Sequence, residues 1–191
     1  MTLDIQTPRE CTTVRSDESG RVTPLVPQES ATYTGAMKIF WVGVSAQRDR
    51  RGGQAPPLTG AAPTGVIVDQ IISECASNLT HEKLNLIDRV LLDRDGRLRP
   101  PNKQELTEGL NRMTRVMREN KRCLFIFLGN HIRTRFQAAE RDIILDLYTA
   151  YDICDARAVF IPHPSYVRVY QYKRLGDYTT KVAKLVANLA F

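Results

Sequence analysis

Four short apolar runs recur along this chain, each closing on a glycine, a proline or a polar loop, and segments with helical periodicity separate them. The runs are KIFWV at 38–42, which breaks at Gly43; LNLI at 84–87, which opens into a proline- and charge-rich segment; CLFIFL at 123–128, which closes on Gly129; and AVFI at 158–161, which stops at Pro162. β-Branched and aromatic residues dominate them, as expected of buried strands. Between them, Val68, Ile71, Ile72 and Cys75 share one helical face, and Leu106, Leu110, Met113 and Met117 share another, with Asn102 as its N-cap. Helix is also expected over 140–151 and from Asp177 onward, where Tyr178, Val182, Leu185 and Leu189 form a stripe. Strand alternating with helix predicts an α/β fold: a three-layer α/β/α sandwich around a central four-stranded parallel sheet, joined by right-handed crossovers.

A chain of 191 residues, 42% hydrophobic and 25% charged, is long enough for one such domain and too apolar for general disorder. Residues 1–36 are rich in Thr, Ser, Glu, Pro and Arg without a sustained period. They are expected to be an N-terminal extension, partly disordered or draped over a domain at 37–191. No apolar run approaches the length that crosses a bilayer, so no membrane partner is expected. The first residues lack the basic start and apolar centre of a secretory signal, so the cytoplasm is the expected location, with nucleoid association when bound to DNA, and a monomer is expected.

Chemistry-bearing residues gather where the strands end. The last run delivers His163 just past a strand's carboxyl end, where open α/β sheets place their ligands. Pro162 and Pro164 flank it, because two prolines so close cannot continue a central strand. The chain then turns basic and aromatic, with Tyr166, Arg168, Tyr170, Tyr172, Lys173 and Arg174, a composition suited to phosphates and stacked bases. Other basic groups follow the earlier strands: Arg48, Arg50 and Arg51; Arg94, Arg97 and Arg99; Arg133 and Arg135. If the strands are parallel, these loops meet on one edge and form a basic face, and the formal net charge of +6 suits a polyanionic partner, DNA. Solvated loops of mixed charge are the plain alternative for each cluster taken singly.

In order, the four segments resemble the uracil-DNA glycosylase superfamily, nearest to its small single-domain bacterial and archaeal members. There a Gly-bearing first loop, an Asn-Leu/Val segment, an apolar strand ending in Leu-Gly and a late His-Pro-Ser recur in the same sequence. The likeness covers most of the chain, from about Lys38 to the C-terminus. One branch of that superfamily carries an iron–sulfur cluster on four cysteines with a close pair near the N-terminus. Cys11, Cys75, Cys123 and Cys154 are widely separated here, so neither cluster, zinc nor any other metal or cofactor is expected.

The resemblance implies hydrolysis of the N-glycosidic bond of uracil or a related deaminated or modified base that has been flipped out of DNA. It implies that His163 stabilises negative charge on the departing base, with its tautomer fixed by a second partner. Asn85 would read the pyrimidine edge, because a side-chain amide offers both a donor and an acceptor. A strand-end asparagine bonded to local backbone is the structural alternative. Ser165 and Tyr166 would meet phosphates, with Arg168, Lys173 and Arg174 beside them; a turn-stabilising hydroxyl and an edge-packing ring are equally open readings.

The first loop departs from the family pattern. A carboxylate or asparagine usually follows the strand's glycine to position water, whereas Gly43 is followed by Val44, Ser45, Ala46 and Gln47. Ser45 could bind the water, Gln47 or Asp49 could substitute from further along, and Asp88 or Asp69 could supply the acid from elsewhere. Asp69 is read as opening a helix, where it compensates the dipole. The phenylalanine that commonly stacks on the base is also missing, leaving Leu58, Phe40 or Trp41. Three functions follow: a glycosylase, a DNA-binding relative with altered or absent catalysis, and an enzyme acting on free or modified nucleotides. The basic loops favour nucleic acid over free nucleotides. No Walker-type or G-x-G-x-x-G pattern occurs, and Asp93 and Asp95 lie in a turn-like DRDG segment rather than a nuclease metal site.

Overall fold

The computed structural model describes residues 13–16, 22–25, 37–76, 78–139 and 144–190. In chain order its elements are β1 (Thr13–Ser16), β2 (Val22–Leu25), β3 (Lys38–Ala46), α1 (Pro63–Glu74), β4 (Thr80–Val90), α2 (Lys103–Glu119), β5 (Leu124–Leu128), α3 (Asn130–Ala139), β6 (Ala150–Ile153), β7 (Ala156–Ile161), α4 (Pro164–Tyr170), a 3-10 turn (Tyr172–Arg174) and α5 (Leu175–Leu189). They build one mixed sheet in the order β2-β1-β6-β7-β5-β3-β4 with helices on both faces. Its heart is parallel, since β3 pairs with β4 and β5, and β5 with β7, all in the same direction.

Period-two alternation explains the two layers. Phe40 and Val42 of β3, Phe125 and Phe127 of β5, and Ala158 and Phe160 of β7 point to one face, where Leu106, Leu110, Met113 and Met117 of α2 and Ile132 and Phe136 of α3 cover them. The intervening Ile39 and Trp41, Leu124, Ile126 and Leu128, and Val159 and Ile161 meet Ile67, Val68 and Ile71 of α1 and Val182 and Val186 of α5 on the other face. Phe40 and Phe125 stack at 4.5 Å between ring centroids. Each large side chain so buried contributes about 1.5–3 kcal/mol relative to exposure. Strands apolar on both faces are what a sheet sandwiched between helices requires.

Asn102 caps α2 as expected, and the cap is reciprocal: Glu105 N–H donates to Asn102 Oδ1 at 2.9 Å while Glu105 Oε2 accepts from Asn102 N–H at 2.9 Å. The start of α1 lies earlier than expected. Pro63, Thr64 and Gly65 form its first turn, a position where the missing N–H of proline costs nothing.

The sheet is wider than four strands. β6 runs antiparallel to β7, β1 parallel to β6, and β2 antiparallel to β1. Thus two segments of the expected N-terminal extension are strands; the remainder of residues 1–36 lies outside the described residues. The helix expected over 140–151 is replaced by α3 upstream and β6 at its end, with 140–143 outside the described residues. The β6–β7 hairpin turns on Cys154 and Asp155, both with positive φ (54° and 62°), so a primed turn forms without the glycine that normally advertises one. Tyr151 and Ile153 then pack on the apolar face that includes Phe160.

Strand order decides where a site can form. From β3 the chain passes through α1 to β4 on one side, then returns through α2 to β5 on the other. Loops diverge at the carboxyl ends of β3 and β5, leaving a crevice of the kind in which open α/β sheets bind ligands.

Candidate active site

A cavity of about 220 Å³ opens at that crevice, lined chiefly by Gly43, Ser45, Gln47, Leu58, Asn85 and His163. Three strands supply it: β3 gives Gly43 and Ser45, β4 gives Asn85, and His163 follows β7. The segments that sequence separates by up to 120 residues are thereby joined. Its volume is below the roughly 300–1,000 Å³ of pockets for drug-sized ligands, which suits a single heterocycle.

His163 is held from several sides. It is the N-cap of α4, and its Nδ1 accepts the backbone N–H of Ser165 at 3.2 Å. An Nδ1 that accepts carries no proton, so the neutral ring bears its hydrogen on Nε2. Burial, and secondarily the charge of His131, hold the imidazole below its ordinary pKa of 6.5. The preceding residues are tied down too. Tyr178 Oη donates to the Pro162 carbonyl at 2.8 Å, and Gly129 N–H donates to the Ile161 carbonyl at 2.8 Å.

Asn85 is 3% exposed, yet its side-chain amide has no hydrogen-bond partner among the described residues. Its backbone carbonyl is satisfied by Arg112, which also donates to Leu86 O at 3.0 Å and pairs with Asp88. A buried polar group normally has partners, so an amide left free on a cavity wall is poised for a ligand. The alternative of a locally bonded strand-end asparagine is not what the side chain does.

Glycine at 43 keeps this amide accessible. A Cβ there would lie 2.9 Å from Leu58 Cδ2 and 3.1 Å from Asn85 Oδ1, so the Leu58 side chain would have to move and the amide would be crowded. Leu58 forms the opposite wall in a left-handed conformation, φ 46°, with its carbonyl accepting from Lys83 Nζ at 3.0 Å and Lys83 paired in turn with Asp69. At Gly65 a Cβ would overlap the Thr59 carbonyl, so α1 can approach the 58–59 segment only without a side chain. Leu58 therefore lies where an aromatic was sought, whereas Phe40 and Trp41 are buried in the two core layers.

The remaining residues divide sharply. Ser45 and Gln47 line the cavity and neither side chain has a protein partner among the described residues. Ser165 Oγ shares a 2.6 Å hydrogen bond with Thr64 Oγ1, a residue that is itself buried on the cavity wall. No spacing rule could have found Thr64, since the two hydroxyls lie 101 positions apart. Asp88 is not brought to His163; it faces a second hollow and pairs with Arg112. Asp69 stands in the middle of α1 rather than at its start, committed to Lys83. Asp49 is likewise used, its Oδ1 accepting the N–H groups of Arg51 and Gly53 at 2.8 Å. Among the described residues lining the cavity none is acidic.

Exposed basic residues lie on the loops that follow the strands of the cavity. Arg48, Arg50 and Arg51 follow β3, Arg94 and Arg97 follow β4, and Arg168, Lys173 and Arg174 with Tyr166 follow β7, all exposed and at the carboxyl ends of mutually parallel strands. The loops after β3 and β4 touch, Arg48 Nη1 donating to Gly96 O at 3.4 Å. Asp93 closes its loop as Asp49 does, accepting from Asp95 N–H at 2.9 Å and Arg97 N–H at 2.8 Å.

No family model matches the chain, and no match is found among curated proteins. Among the described residues no helix is long and apolar enough to cross a membrane.

Proposed function

We propose that the protein is a DNA glycosylase that releases uracil or a related deaminated or modified base. One observation carries this reading: a buried amide without a protein partner among the described residues, Asn85, shares a cavity of about 220 Å³ with a neutral histidine whose free nitrogen bears a proton. In the reaction the C1′–N bond breaks with its electron pair leaving on the base, and water supplies the oxygen that bonds C1′ and loses a proton to solvent, from which the departed base anion is protonated. His163 Nε2–H donates to the base oxygen as charge develops there, without surrendering its proton. The Asn85 amide donates to and accepts from the base edge, Leu58 closes the cavity over Gly43, and Ser45 or Gln47 orients the water. The basic mouth binds the phosphates of the flanking DNA.

A second reading has its own support. With no carboxylate on the cavity wall, the same architecture suits a DNA-binding protein that recognises a flipped base without hydrolysing it. Purified protein incubated with oligonucleotides carrying single uracil, hypoxanthine, xanthine or 5-substituted uracil, followed by alkaline cleavage of abasic sites, separates the two. Release that disappears in His163→Ala is the expected result. Absence of release on every substrate, with salt-sensitive DNA binding retained, overturns catalysis in favour of binding.

A further inference from the structure

Tyr166, Tyr170 and Tyr172, which follow His163, are left largely exposed. Tyr166 is 51% exposed, and Tyr170 and Tyr172 are each 73% exposed, beside Val169 at 61%. Tyr166 and Tyr170 lie four residues apart on α4, so they share a face, and their rings meet at 5.0 Å between centroids. Tyr166 begins this pair three residues after His163, with its N–H donating to His163 O at 2.9 Å. The aromatic ridge therefore starts within about one helical turn of the cavity.

Within this segment the charge is of one sign, and its cations are unpaired among the described residues. Residues 164–174 contain Arg168, Lys173 and Arg174 and no Asp or Glu. None of these three cations takes part in an ion pair among the described residues, whereas Lys38, Lys83, Arg89, Arg99, Arg112, Lys121 and Arg157 all do. Exposed stacked rings interleaved with free cations complement a chain that carries both flat apolar faces and regular negative charge.

We propose that α4 and the 3-10 turn form a platform for single-stranded DNA, with bases flanking the target nucleotide stacking on Tyr166 and Tyr170 and phosphates meeting Arg168, Lys173 and Arg174. This rests on the reading of the protein as acting on DNA. A duplex offers such a ridge only its phosphates, because its base faces are already stacked on one another; a single strand offers both. The protein consequently prefers unpaired DNA, and the preference resides in the rings rather than in the charge.

The test is anisotropy titration of the whole chain with three probes of equal length: a thymidine homo-oligonucleotide, a base-free spacer oligonucleotide and a duplex. The thymidine strand is expected to bind roughly 10-fold or more tighter than either of the others. Tyr166→Ala with Tyr170→Ala is expected to remove that advantage, weakening the thymidine strand far more than the spacer or the duplex, and the corresponding phenylalanine variant is expected to restore it. Arg168→Ala should weaken all three. Equal binding of base-bearing and base-free strands, or duplex binding as tight as single-strand binding, overturns the proposal, and both comparisons use the unaltered protein. None of the probes contains uracil or requires base release, so failure of the glycosylase reading leaves this result standing, and failure of this result leaves base release standing.

Discussion

Two hollows of similar size flank the carboxyl end of β4, about 220 Å³ on the side of His163 and about 260 Å³ on the side of α2, and they treat their polar groups in opposite ways. The second is lined by Asp88, Arg89, Glu105, Glu108 and Arg112, and its principal charges are internally paired: Arg112 with Asp88, and Arg89 and Arg99 with Glu105. The first holds no charged side chain among its described lining residues, yet it leaves the Asn85 amide, the Ser45 hydroxyl and the Gln47 amide without protein partners. Asn85 stands at the boundary, its backbone carbonyl bonded to Arg112 on one side and its side chain open on the other. Charge density alone would have pointed to the second hollow. What separates a structural network from a receptive site is whether the hydrogen-bonding capacity has been consumed.

The strongest way to break that comparison is at His163. Replacing it with alanine is expected to lower base release by roughly 100- to 1,000-fold, the usual cost of removing one donor to a developing oxyanion. Single-turnover kinetics on uracil-containing DNA measures it, and unaltered rates in a folded variant would remove the histidine from the chemistry. Asn85→Ala comes next. Two neutral hydrogen bonds lost from the base edge correspond to about 1–3 kcal/mol, roughly 5- to 150-fold in kcat/KM, and the loss should differ between bases because edge reading is what the amide supplies. The same variant should not lower Tm, since the fold makes no use of that amide. A large drop in Tm would place Asn85 with the consumed groups and erase the distinction.

The paired hollow predicts the reverse. Glu105→Ala removes the capping-box acceptor of α2 and the partner of two arginines, so Tm should fall by several degrees while base release per folded molecule stays within about 2-fold. Arg112→Ala should lower both, because its guanidinium supports Asn85 and Leu86 from behind. Thermal melts and kinetics on the same preparations decide the matter.

How much of this could be read beforehand follows from which forces are local. The apolar runs and the stripe of α2 write their periods into neighbouring residues, so the parallel core and Asn102 as a cap were legible. His163 was legible as a residue just past a strand end, whereas Gly43, Ser45 and Asn85 lie inside β3 and β4, which continue beyond the apolar runs to Ala46 and Val90. The β6–β7 hairpin was not, since Cys154 and Asp155 adopt positive φ without glycine under the pull of the packing around Phe160. Asp88 was misleading for a different reason. It stands three residues from Asn85, but β4 is irregular beyond Ile87 and this stretch turns toward α2, where Arg112 holds the carboxylate. Thr64 and Lys83 act through partners far along the chain, information that no window of sequence contains.

The smallest expected effect, and the sharpest for the comparison, is the acid side of the stability curve. Burial lowers the pKa of His163 and also that of His81, which accepts from Trp41 Nε1–H at 3.1 Å, so the unfolded chain takes up these protons first. Their contribution is complete above the ordinary value of 6.5 and is lost progressively as pH falls below it toward the folded values. Glu105 behaves differently: its bonds to Arg99 first, and then to the Asn102 N–H, lower its pKa from 4.5 to about 2, so its contribution persists down to pH 4.5 and is lost between there and about pH 2. Stability should thus decline in two windows that belong to different parts of the molecule. Urea unfolding measured from pH 8 to pH 3 in the parent, His163→Ala and Glu105→Gln resolves them, with the first variant expected to shallow the slope near neutrality and the second the slope below 4.5. If His163→Ala left the upper window unchanged, the histidine would not be held neutral by its burial, and the assignment of Nε2–H as a donor at physiological pH would lose its support.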